Sequence, residues 1–323
     1  MCRIFLLSIL LIAGLGLPHP AVADVRITTW NIEHLGSDGR GFGGGFGGGN
    51  IPRRSEAQLK EIADFIENTL QSDIVAIQEV ARTGSDDTSN ELDIIVEEMG
   101  EEWDYILADV PEDSEMVNGY LWNSDRVNVI KSYTMDMPNI ELAGKALFDR
   151  RPLILYFETL EDGETNRNDM VLVNVHLASG QSNDENHAIA MIAIEHALTS
   201  SLKRNEIKES DRVILGDFND NPDRRSSAGN PINIPTMYLH MEHKGYTNIV
   251  DPSLGFTRMD ANKRSLIDHI LVNNSADNHV VEMDAERFLP GDDSTFAAWR
   301  QTFSDHFPLS FEIKIGTDDD VDF

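Results

Sequence analysis

The segment Val213–Asp220 joins an apolar run to side chains that could do chemistry. Its first three residues are aliphatic, as in a strand buried on both faces, and Asp217 and Asn219 follow two residues apart. Side chains two apart on an extended chain point the same way, so a carboxylate and an amide would lie side by side. Such a pair can bind a phosphate, a water molecule or a metal ion. A turn in which Asp and Asn only cap backbone groups has the same residue types, so the other strands must decide between these interpretations.

Polar side chains also stand at the ends of four further predicted strands and in the middle of a fifth. They are Asn31 with Glu33, Gln78 with Glu79, Asn174 with His176, Asp305 with His306, and Asp268 by itself. One strand end of this kind carries little information. Repeated ends of the same kind predict that the strands converge at one edge of a sandwich, where a site is built.

These residue types suit metal-assisted cleavage of a phosphoester. Carboxylate and amide oxygens fit a hard cation such as Mg²⁺, and Glu79 with Asn31 or Asp305 could supply them. A histidine backed by a carboxylate can deprotonate water near neutral pH, which makes His306 with Asp268 a candidate pair.

The charge that develops on phosphorus needs hydrogen-bond donors, and His176, Asn219 and an arginine could provide them. Other hydrolase classes fit less well. The His-Glu-x-x-His pattern of many zinc enzymes and the Gly-x-Ser-x-Gly elbow of serine hydrolases do not occur. The only cysteine is Cys2, which lies in a predicted leader, so we expect no thiol chemistry in the mature protein.

Residues 1–23 have the pattern of a secretory signal peptide. Arg3 precedes the apolar run Ile4–Leu17, and Ala21 and Ala23 form a small-residue cleavage site. The apolar run is too short for a comfortable membrane span, so we expect no stable membrane insertion. Export without disulfides is typical of a bacterial protein, and we therefore expect a secreted or periplasmic location.

The chain is strongly acidic, with 26 Lys and Arg against 56 Asp and Glu and a net charge of −30. Without the predicted signal peptide, which contains Arg3 and no acidic residue, the net charge is −31. This balance argues against a general electrostatic trap for nucleic acid. Local phosphate binding through cations and a few arginines stays open.

The remaining pattern predicts one domain over residues 24–316, followed by an acidic tail over 317–323. Amphipathic helices are predicted over Ser55–Leu70 and Asp184–Leu202, a strand with Asp268 in its middle over Ser265–Val272, and irregular structure over Asn221–Gly245. Residues 39–49 contain eight glycines and predict a flexible loop. Strands alternate with helices in two similar blocks, which indicates two packed sheets with helices outside and, we expect, a monomer.

Seven segments together resemble the endonuclease/exonuclease/phosphatase superfamily, and its deoxyribonuclease I-like branch most closely. In chain order they are Trp30-Asn31-Ile32, Ile77-Gln78-Glu79-Val80, Phe148-Asp149-Arg150-Arg151-Pro152, Asn174-Val175-His176, Gly216-Asp217-Phe218-Asn219, Ile267-Asp268-His269 and Ser304-Asp305-His306-Phe307-Pro308. They cover most of the chain and follow the order of the family. The resemblance implies an α/β fold, a four-layered α/β sandwich of two mainly antiparallel sheets flanked by helices.

The resemblance also implies roles for ten residues. Asn31, Glu79 and Asp305 would lie at a metal, Mg²⁺ or alternatively Mn²⁺ or Ca²⁺. The catalytic residues would be His176, Asp217, Asn219, Asp268 and His306. Tyr120 would hydrogen-bond the scissile phosphate and Arg150 would contact a phosphate, with Arg151 as the alternative.

The leading hypothesis is a secreted metal-dependent phosphodiesterase, a nuclease whose substrate is DNA or, alternatively, RNA. Met116–Gly119 replaces the basic run that related nucleases place before the tyrosine, so alternatives stay open. One is a phosphatase or a lipid phosphodiesterase on the same fold, and another is a non-catalytic binding module. Outside the motifs, we expect Glu33 to be a solvated loop residue and His269 to be structural.

Overall fold

The structure is a computed structural model that describes residues 24–37, 53–82, 89–109, 116–142, 145–148, 150–160, 168–179, 184–221, 236–260, 263–281, 285–289 and 296–315. The predicted signal peptide, the glycine-rich loop and the acidic tail lie outside these residues, as does Asp149.

The strands within the described residues are β1 (Val25–Leu35), β2 (Ile74–Ala81), β3 (Trp103–Leu107), β4 (Met116–Asn123), β5 (Val127–Thr134), β6 (Glu141–Leu142), β7 (Lys145–Ala146), β8 (Leu153–Thr159), β9 (Asp169–His176), β10 (Arg212–Asp217), β11 (Tyr246–Asn248), β12 (Arg258–Asp260), β13 (Lys263–Ser265), β14 (Asp268–Asn273), β15 (Glu286–Arg287) and β16 (Leu309–Ile313). The helices are α1 (Glu56–Asp64), which continues as a π-helical segment over Phe65–Leu70, α2 (Asn90–Met99), α3 (Asp184–Arg204), α4 (Thr236–His243) and α5 (Phe296–Thr302).

Two six-stranded sheets form the centre of the molecule. The first has the order β15-β16-β1-β2-β4-β3 and the second the order β11-β14-β10-β9-β8-β5. Each sheet has one parallel pair at its middle, β1 with β2 and β9 with β10, and its other neighbours are antiparallel. Parallel neighbours end at the same edge, so the carboxyl ends of these four strands can meet.

The sheets pack face to face and helices cover their outer sides. Apolar residues of both sheets, such as Ile27, Ala76 and Leu215, are buried in the core between them. Helices α1, α2 and α5 pack on the first sheet, whereas α3 and α4 pack on the second through residues such as Met191 and Met241. This arrangement is the predicted four-layered α/β sandwich, and the fold prediction is confirmed.

Three polar side chains connect the sheets across the core. Gln78 Nε2 donates to Asn174 Oδ1 at 2.8 Å, and Asn174 Nδ2 donates to the carbonyls of Ile77 and Gly119 at 2.9 and 2.8 Å. Asn118 Nδ2 donates to the Asn174 carbonyl at 3.3 Å. The sequence places Gln78 and Asn174 among the polar strand ends that converge on the site, but both are fully buried and hold the two sheets in register.

Two helices and one strand boundary differ from the sequence prediction. The segment predicted to be irregular contains α4, whose Met237 and Met241 lie one turn apart and are buried, and α5 has no predicted counterpart. The strand predicted over Ser265–Val272 is broken, because Asp268 is the first residue of β14 and not its middle. Thr257 Oγ1 accepts from the backbone N–H of Asp268 at 3.0 Å, which fixes this break. Within the described residues, no helix is long and apolar enough to cross a membrane.

Candidate active site

The second sheet brings three of the predicted site residues to one edge. Asp217 ends β10 and pairs with His176 on parallel β9 and with Asp268 on antiparallel β14. Gly216 lets these strands approach, since a Cβ at this position would lie 2.0 Å from the Val175 carbonyl oxygen and φ is +141°. The motif glycine is therefore required by close backbone packing beside the site.

The first sheet brings its own strand ends to the same place. Asn31 Nδ2 donates to Glu79 Oε1 at 3.1 Å and to Asp217 Oδ2 at 3.0 Å, so one amide joins carboxylates from both sheets. Ser304 Oγ donates to the Asn31 carbonyl at 2.6 Å and accepts from the His306 backbone N–H at 3.0 Å. These bonds attach the segment before β16 to the end of β1.

His306 and Asp268 form a buried pair. His306 Nδ1 lies 3.0 and 2.9 Å from the two carboxylate oxygens of Asp268, which places the proton on Nδ1 and leaves Nε2 to face Asp217 Oδ2 at 3.8 Å. Burial by itself would lower the pKa of His306. The carboxylates of Asp268, Asp305 and Asp217 outweigh it and raise that pKa to about 10.

Asp217 lies at the centre of this group. Burial, together with the charge of Asp268, raises the pKa of the Asp217 carboxyl to about 7. Its second oxygen, Oδ1, accepts from the Asn219 backbone N–H at 2.8 Å, while Asn219 Nδ2 donates to the Leu177 carbonyl at 2.9 Å. Asn219 is thereby fixed next to Asp217, but not by the predicted extended chain, because β10 ends at Asp217 and Asn219 has a left-handed φ of +51°.

The surroundings of His176 shift its pKa in the opposite direction to that of His306. His176 Nε2 lies 3.5 Å from Asp217 Oδ2 and 3.7 Å from Glu79 Oε1, and its side chain is almost completely buried. Burial, with the positive charges of Arg150 and His306 close by, lowers the pKa of His176 well below its usual value. His176 is therefore a neutral imidazole, suited to donate a hydrogen bond and not to carry a charge.

The strand ends have an unusual backbone. Between the pairs Asn31–Gln78 and Leu35–Val80, β1 has three residues and β2 has only Glu79, so β1 bulges. Glu33, His34, Glu79 and Asn219 all have φ between +49° and +65°. Left-handed conformations at non-glycine residues cost about 1–3 kcal/mol each and cluster at functional sites. The bulge orients the side chain of Glu79 so that its carboxylate lies beside Asn31 and His176.

The model of the Endonuclease/Exonuclease/phosphatase family matches residues 28–306. The chain belongs to this family.

Solved structures with the family fold agree with this assignment. The human nocturnin catalytic domain with bound sulfate has a TM-score of 0.57 at 12% identity, over 90% of this chain and 94% of that one. TDP2 from Caenorhabditis elegans has a TM-score of 0.53 at 15% identity, over 90% and 74%. A mannosyl-6-phosphatase from Bacteroides thetaiotaomicron has a TM-score of 0.52 at 15% identity, over 90% and 99%. No curated protein matches the chain. The chain is accordingly a phosphoric ester hydrolase of this family.

Family members in general depend on a divalent metal, and the donor set fits one. Glu79 is 18% exposed in its side chain, so its carboxylate can meet a cation from solvent. Asn31 could add an amide oxygen, although Asn31 Oδ1 already accepts from the Glu33 backbone N–H at 3.0 Å. Asp217, Asp268 and His306 also offer ligand atoms within 4.8 Å of one another, but the oxygens of Asp268 are occupied by His306 Nδ1. Oxygen ligands of this kind suit Mg²⁺ or Mn²⁺.

Asp305, the third predicted metal residue, is held by arginines. Arg258 Nε donates to Asp305 Oδ2 at 2.8 Å, and Arg300 contributes a further positive charge 3.8 Å away. Burial by itself would raise the pKa of Asp305, but His306, Arg258 and Arg300 keep it below its usual value. Its other oxygen, Oδ1, lies 3.7 Å from His306 Nε2. A metal-binding role of Asp305 stays a prediction, and one of its oxygens already has a partner.

Two residues lie in surroundings other than those the sequence predicts. Tyr120 is fully buried between the sheets and its hydroxyl donates to the Leu153 carbonyl at 3.3 Å, so its predicted contact with a phosphate is wrong. Tyr120 pairs with Ala76, which lies before the end of β2. The expected solvated position of Glu33 is also wrong, because Glu33 is 4% exposed and both of its oxygens contact Arg300 Nε.

The predicted phosphate contact of Arg150 stays a prediction, whereas the structural role predicted for His269 agrees with the structure. Arg150 is half-buried, makes no hydrogen bond or ion pair with the described part of the chain, and lies close enough to His176 to influence its pKa. His269 is structural as expected: it is buried and its Nε2 donates to the Asp220 carbonyl at 3.0 Å.

Sequence reasoning missed four residues around the site: His34, Arg54, Arg258 and Arg300. Arg54 is buried and donates to the carbonyls of Ile32 and Glu33 at 2.7 and 2.9 Å. It also donates to Thr302 at 2.8 Å and to Phe303. The three arginines belong to no motif in the sequence, and only the tertiary contacts reveal their roles. The sequence did offer a signal for His34 as a site residue, because His34 directly follows the polar residues Asn31 and Glu33.

Proposed function

We propose that this protein is a secreted, divalent-metal-dependent phosphodiesterase that hydrolyses the phosphodiester bonds of nucleic acid, with DNA as the first substrate to test. The observation that carries the proposal is the buried His306–Asp268 pair beside Asp217 and Glu79. This arrangement provides a base, a residue that holds a water and a cation ligand within one group of side chains.

The proposed chemistry begins at His306 Nε2. That nitrogen takes a proton from the attacking water, while Asp268 keeps the imidazole in the tautomer with its proton on Nδ1. Asp217 accepts a hydrogen bond from the same water and orients it. A divalent ion at Glu79 supplies charge neutralisation at the phosphate when it is bound.

Neutral His176 and the Asn219 amide complete the proposed machinery. Both can donate hydrogen bonds to the phosphate oxygens as charge develops on them. Arg150 is the proposed phosphate contact, because its guanidinium lies near His176 and has no other partner among the described residues. Bidentate arginine–phosphate contacts are geometrically specific, which suits a positioning role.

A phosphatase acting on a small phosphorylated substrate is the second candidate. The net charge of −30 favours it, since a small substrate needs no broad basic groove. The mannosyl-6-phosphatase among the proteins of similar fold is a precedent for such a substrate.

A substrate panel tests the two candidates. Purified protein is incubated with plasmid DNA, RNA, a lipid phosphodiester and a sugar monophosphate, each with Mg²⁺, with Mn²⁺ and with a chelator. We expect metal-dependent cleavage of DNA that a His306→Gln preparation, the control for contaminating nuclease, lacks. Cleavage of the sugar monophosphate alone would contradict the nuclease function and support the phosphatase function. Hydrolysis of no phosphoester would contradict both candidates.

We also propose export, because residues 1–23 combine a positive start, an apolar run and a small-residue end. Expression of the full chain in a bacterium followed by amino-terminal sequencing tests it. A mature protein beginning at Asp24 outside the cytoplasm is expected, and an uncleaved cytoplasmic product would contradict the proposal.

A further inference from the structure

His34 is a third histidine at the edge of the candidate active site. It lies in the β1 bulge, three residues beyond Asn31, opposite Glu79. Its backbone N–H donates to Glu79 Oε2 at 3.3 Å, and its Nε2 lies 3.7 Å from the same oxygen. That separation is too long for a hydrogen bond between the side chains. It is short enough for both atoms to bind one divalent transition-metal ion, since the bonds of zinc, for example, to nitrogen and oxygen are about 2.0–2.2 Å.

The exposure of the side chains places this pair at the open side of the group. His34 and Glu79 are 22% and 18% exposed, whereas His176 and Asp217 are 1% and 2% exposed. A hydrated cation that arrives from solvent therefore meets the His34–Glu79 pair first. Behind the pair, Asn31 Nδ2 connects the carboxylate of Glu79 to that of Asp217.

The backbone gives the second part of the argument. His34 and Glu79 both have left-handed φ, +54° and +65°, and both conformations occur where the two neighbouring strands lose their register. If the strands continued in the register of the Asn31–Gln78 pair, without the bulge, His34 and Glu79 would not lie opposite each other. The distortion brings an imidazole and a carboxylate to one point, which is the feature that a metal site requires.

We propose that His34 is a ligand of the divalent metal together with Glu79, and that the site consequently prefers a transition metal such as Mn²⁺ to Mg²⁺. Imidazole nitrogen binds borderline ions well, whereas Mg²⁺ and Ca²⁺ are bound almost entirely by oxygen. This inference rests on the metal dependence in the proposed function, but binding measurements test it without any substrate.

The test compares metal binding by wild-type protein, His34→Asn and a control, His196→Asn. Asn is chosen at position 34 because it accepts left-handed φ more readily than most residues. His196 is exposed on α3, on the outer side of the second sheet, so its replacement removes a histidine and leaves the site intact. Each protein is treated with chelator, dialysed and titrated calorimetrically with Mn²⁺ and with Mg²⁺.

We expect wild type and His196→Asn to bind Mn²⁺ more tightly than Mg²⁺. His34→Asn should weaken Mn²⁺ binding by about 10–100-fold and change Mg²⁺ binding by less than about threefold. Equal Mn²⁺ affinity in wild type and His34→Asn would overturn the proposal, as would a loss of both metals to the same extent.

Pulsed electron paramagnetic resonance of bound Mn²⁺ provides a readout that needs no variant. Wild-type protein should show a coupling to ¹⁴N that changes when the histidines are labelled with ¹⁵N, and His34→Asn should lose it. Absence of histidine coupling in wild type would overturn the proposal. So would a coupling that persists in His34→Asn and disappears only in His176→Asn, because it would assign the ligand to His176.

Discussion

The two histidines that flank Asp217 have opposite electrostatic settings. His306 is surrounded by three carboxylates, which raise its pKa to about 10, whereas burial and nearby cations lower the pKa of His176 well below its ordinary value. In the metal-free protein His306 therefore carries a positive charge at neutral pH. A divalent ion beside Glu79 and Asp217 would lower the pKa of His306 by electrostatic repulsion and make Nε2 available as a base. We therefore expect metal binding and the supply of the base to be coupled.

The pH dependence of stability tests the charged state of His306. A histidine with a raised folded-state pKa stabilises the protein fully below its unfolded pKa of 6.5, and this stabilisation disappears as the pH rises to about 10. In the presence of chelator, the excess in melting temperature of wild type over His306→Gln should therefore shrink between pH 7.5 and pH 10. This window lies above the pKa of Asp217, which is about 7. A difference that stays constant over the window would contradict the charge assignment.

At the scale of elements, Arg54 connects two segments of the site. It precedes α1, and its guanidinium donates to carbonyls at the end of β1 and at the end of α5. Burial lowers the pKa of Arg54 to about 10, and the negative charge of Glu33 opposes this effect. Because Asn31 and the segment Ser304–His306 adjoin these carbonyls, we infer that Arg54 positions the proposed catalytic group.

Replacing Arg54 by Met should lower the free energy of unfolding by about 3–5 kcal/mol, since several buried carbonyls would lose a charged donor. Turnover should fall more than substrate affinity, because the substrate does not contact Arg54. The matched control is Arg204→Met, which removes an exposed arginine at the end of α3, on the outer side of the second sheet. The control should cost less than about 1 kcal/mol. Urea unfolding measures both variants, and equal losses would contradict the positioning role.

Most elements could be predicted from the sequence, and the exceptions have physical reasons. Strands such as β2 and β10 are continuous apolar runs, and α3 has a long amphipathic period. Helix α5 is only seven residues long and depends on aromatic packing, in which Trp299 stacks on Phe303 with ring centroids 4.4 Å apart. Propensity alone is a weak signal for so short a helix, so tertiary packing decides its formation.

The candidate site was predictable as a set of strand ends but not in its connections. Asp217, His306 and Asp268 meet as their positions indicate. The bulge opposite Glu79 has no local sequence signal. The two arginines that hold Asp305, Arg258 and Arg300, belong to no motif in the sequence. Tyr120 was misassigned because a sequence resemblance does not report which way a side chain points across a sheet.

At the scale of the molecule, the net charge of −30 should govern how a polyanionic substrate binds. Repulsion between the protein and DNA is screened as the ionic strength rises, since the Debye length shortens from about 30 Å at 0.01 M to about 8 Å at 0.15 M. The apparent KM for DNA should therefore fall, or stay level, as NaCl rises over this range at fixed metal concentration. A basic nuclease shows the opposite trend because salt displaces its phosphate contacts. The KM for a small phosphodiester serves as the control and should change little. A steep rise of the KM for DNA with salt would indicate a local basic groove and contradict this expectation.

In the proposed mechanism, His306, oriented by Asp268, supplies the base for metal-dependent phosphoester hydrolysis. The most direct measurement is the turnover number of wild type and His306→Gln on bis(4-nitrophenyl) phosphate at saturating Mn²⁺, with folding of the variant verified by circular dichroism. We expect the variant to turn over more slowly by a factor of about 10²–10⁴, the range for loss of a general base. A folded His306→Gln protein with a turnover number within a factor of about three of wild type would contradict the claim.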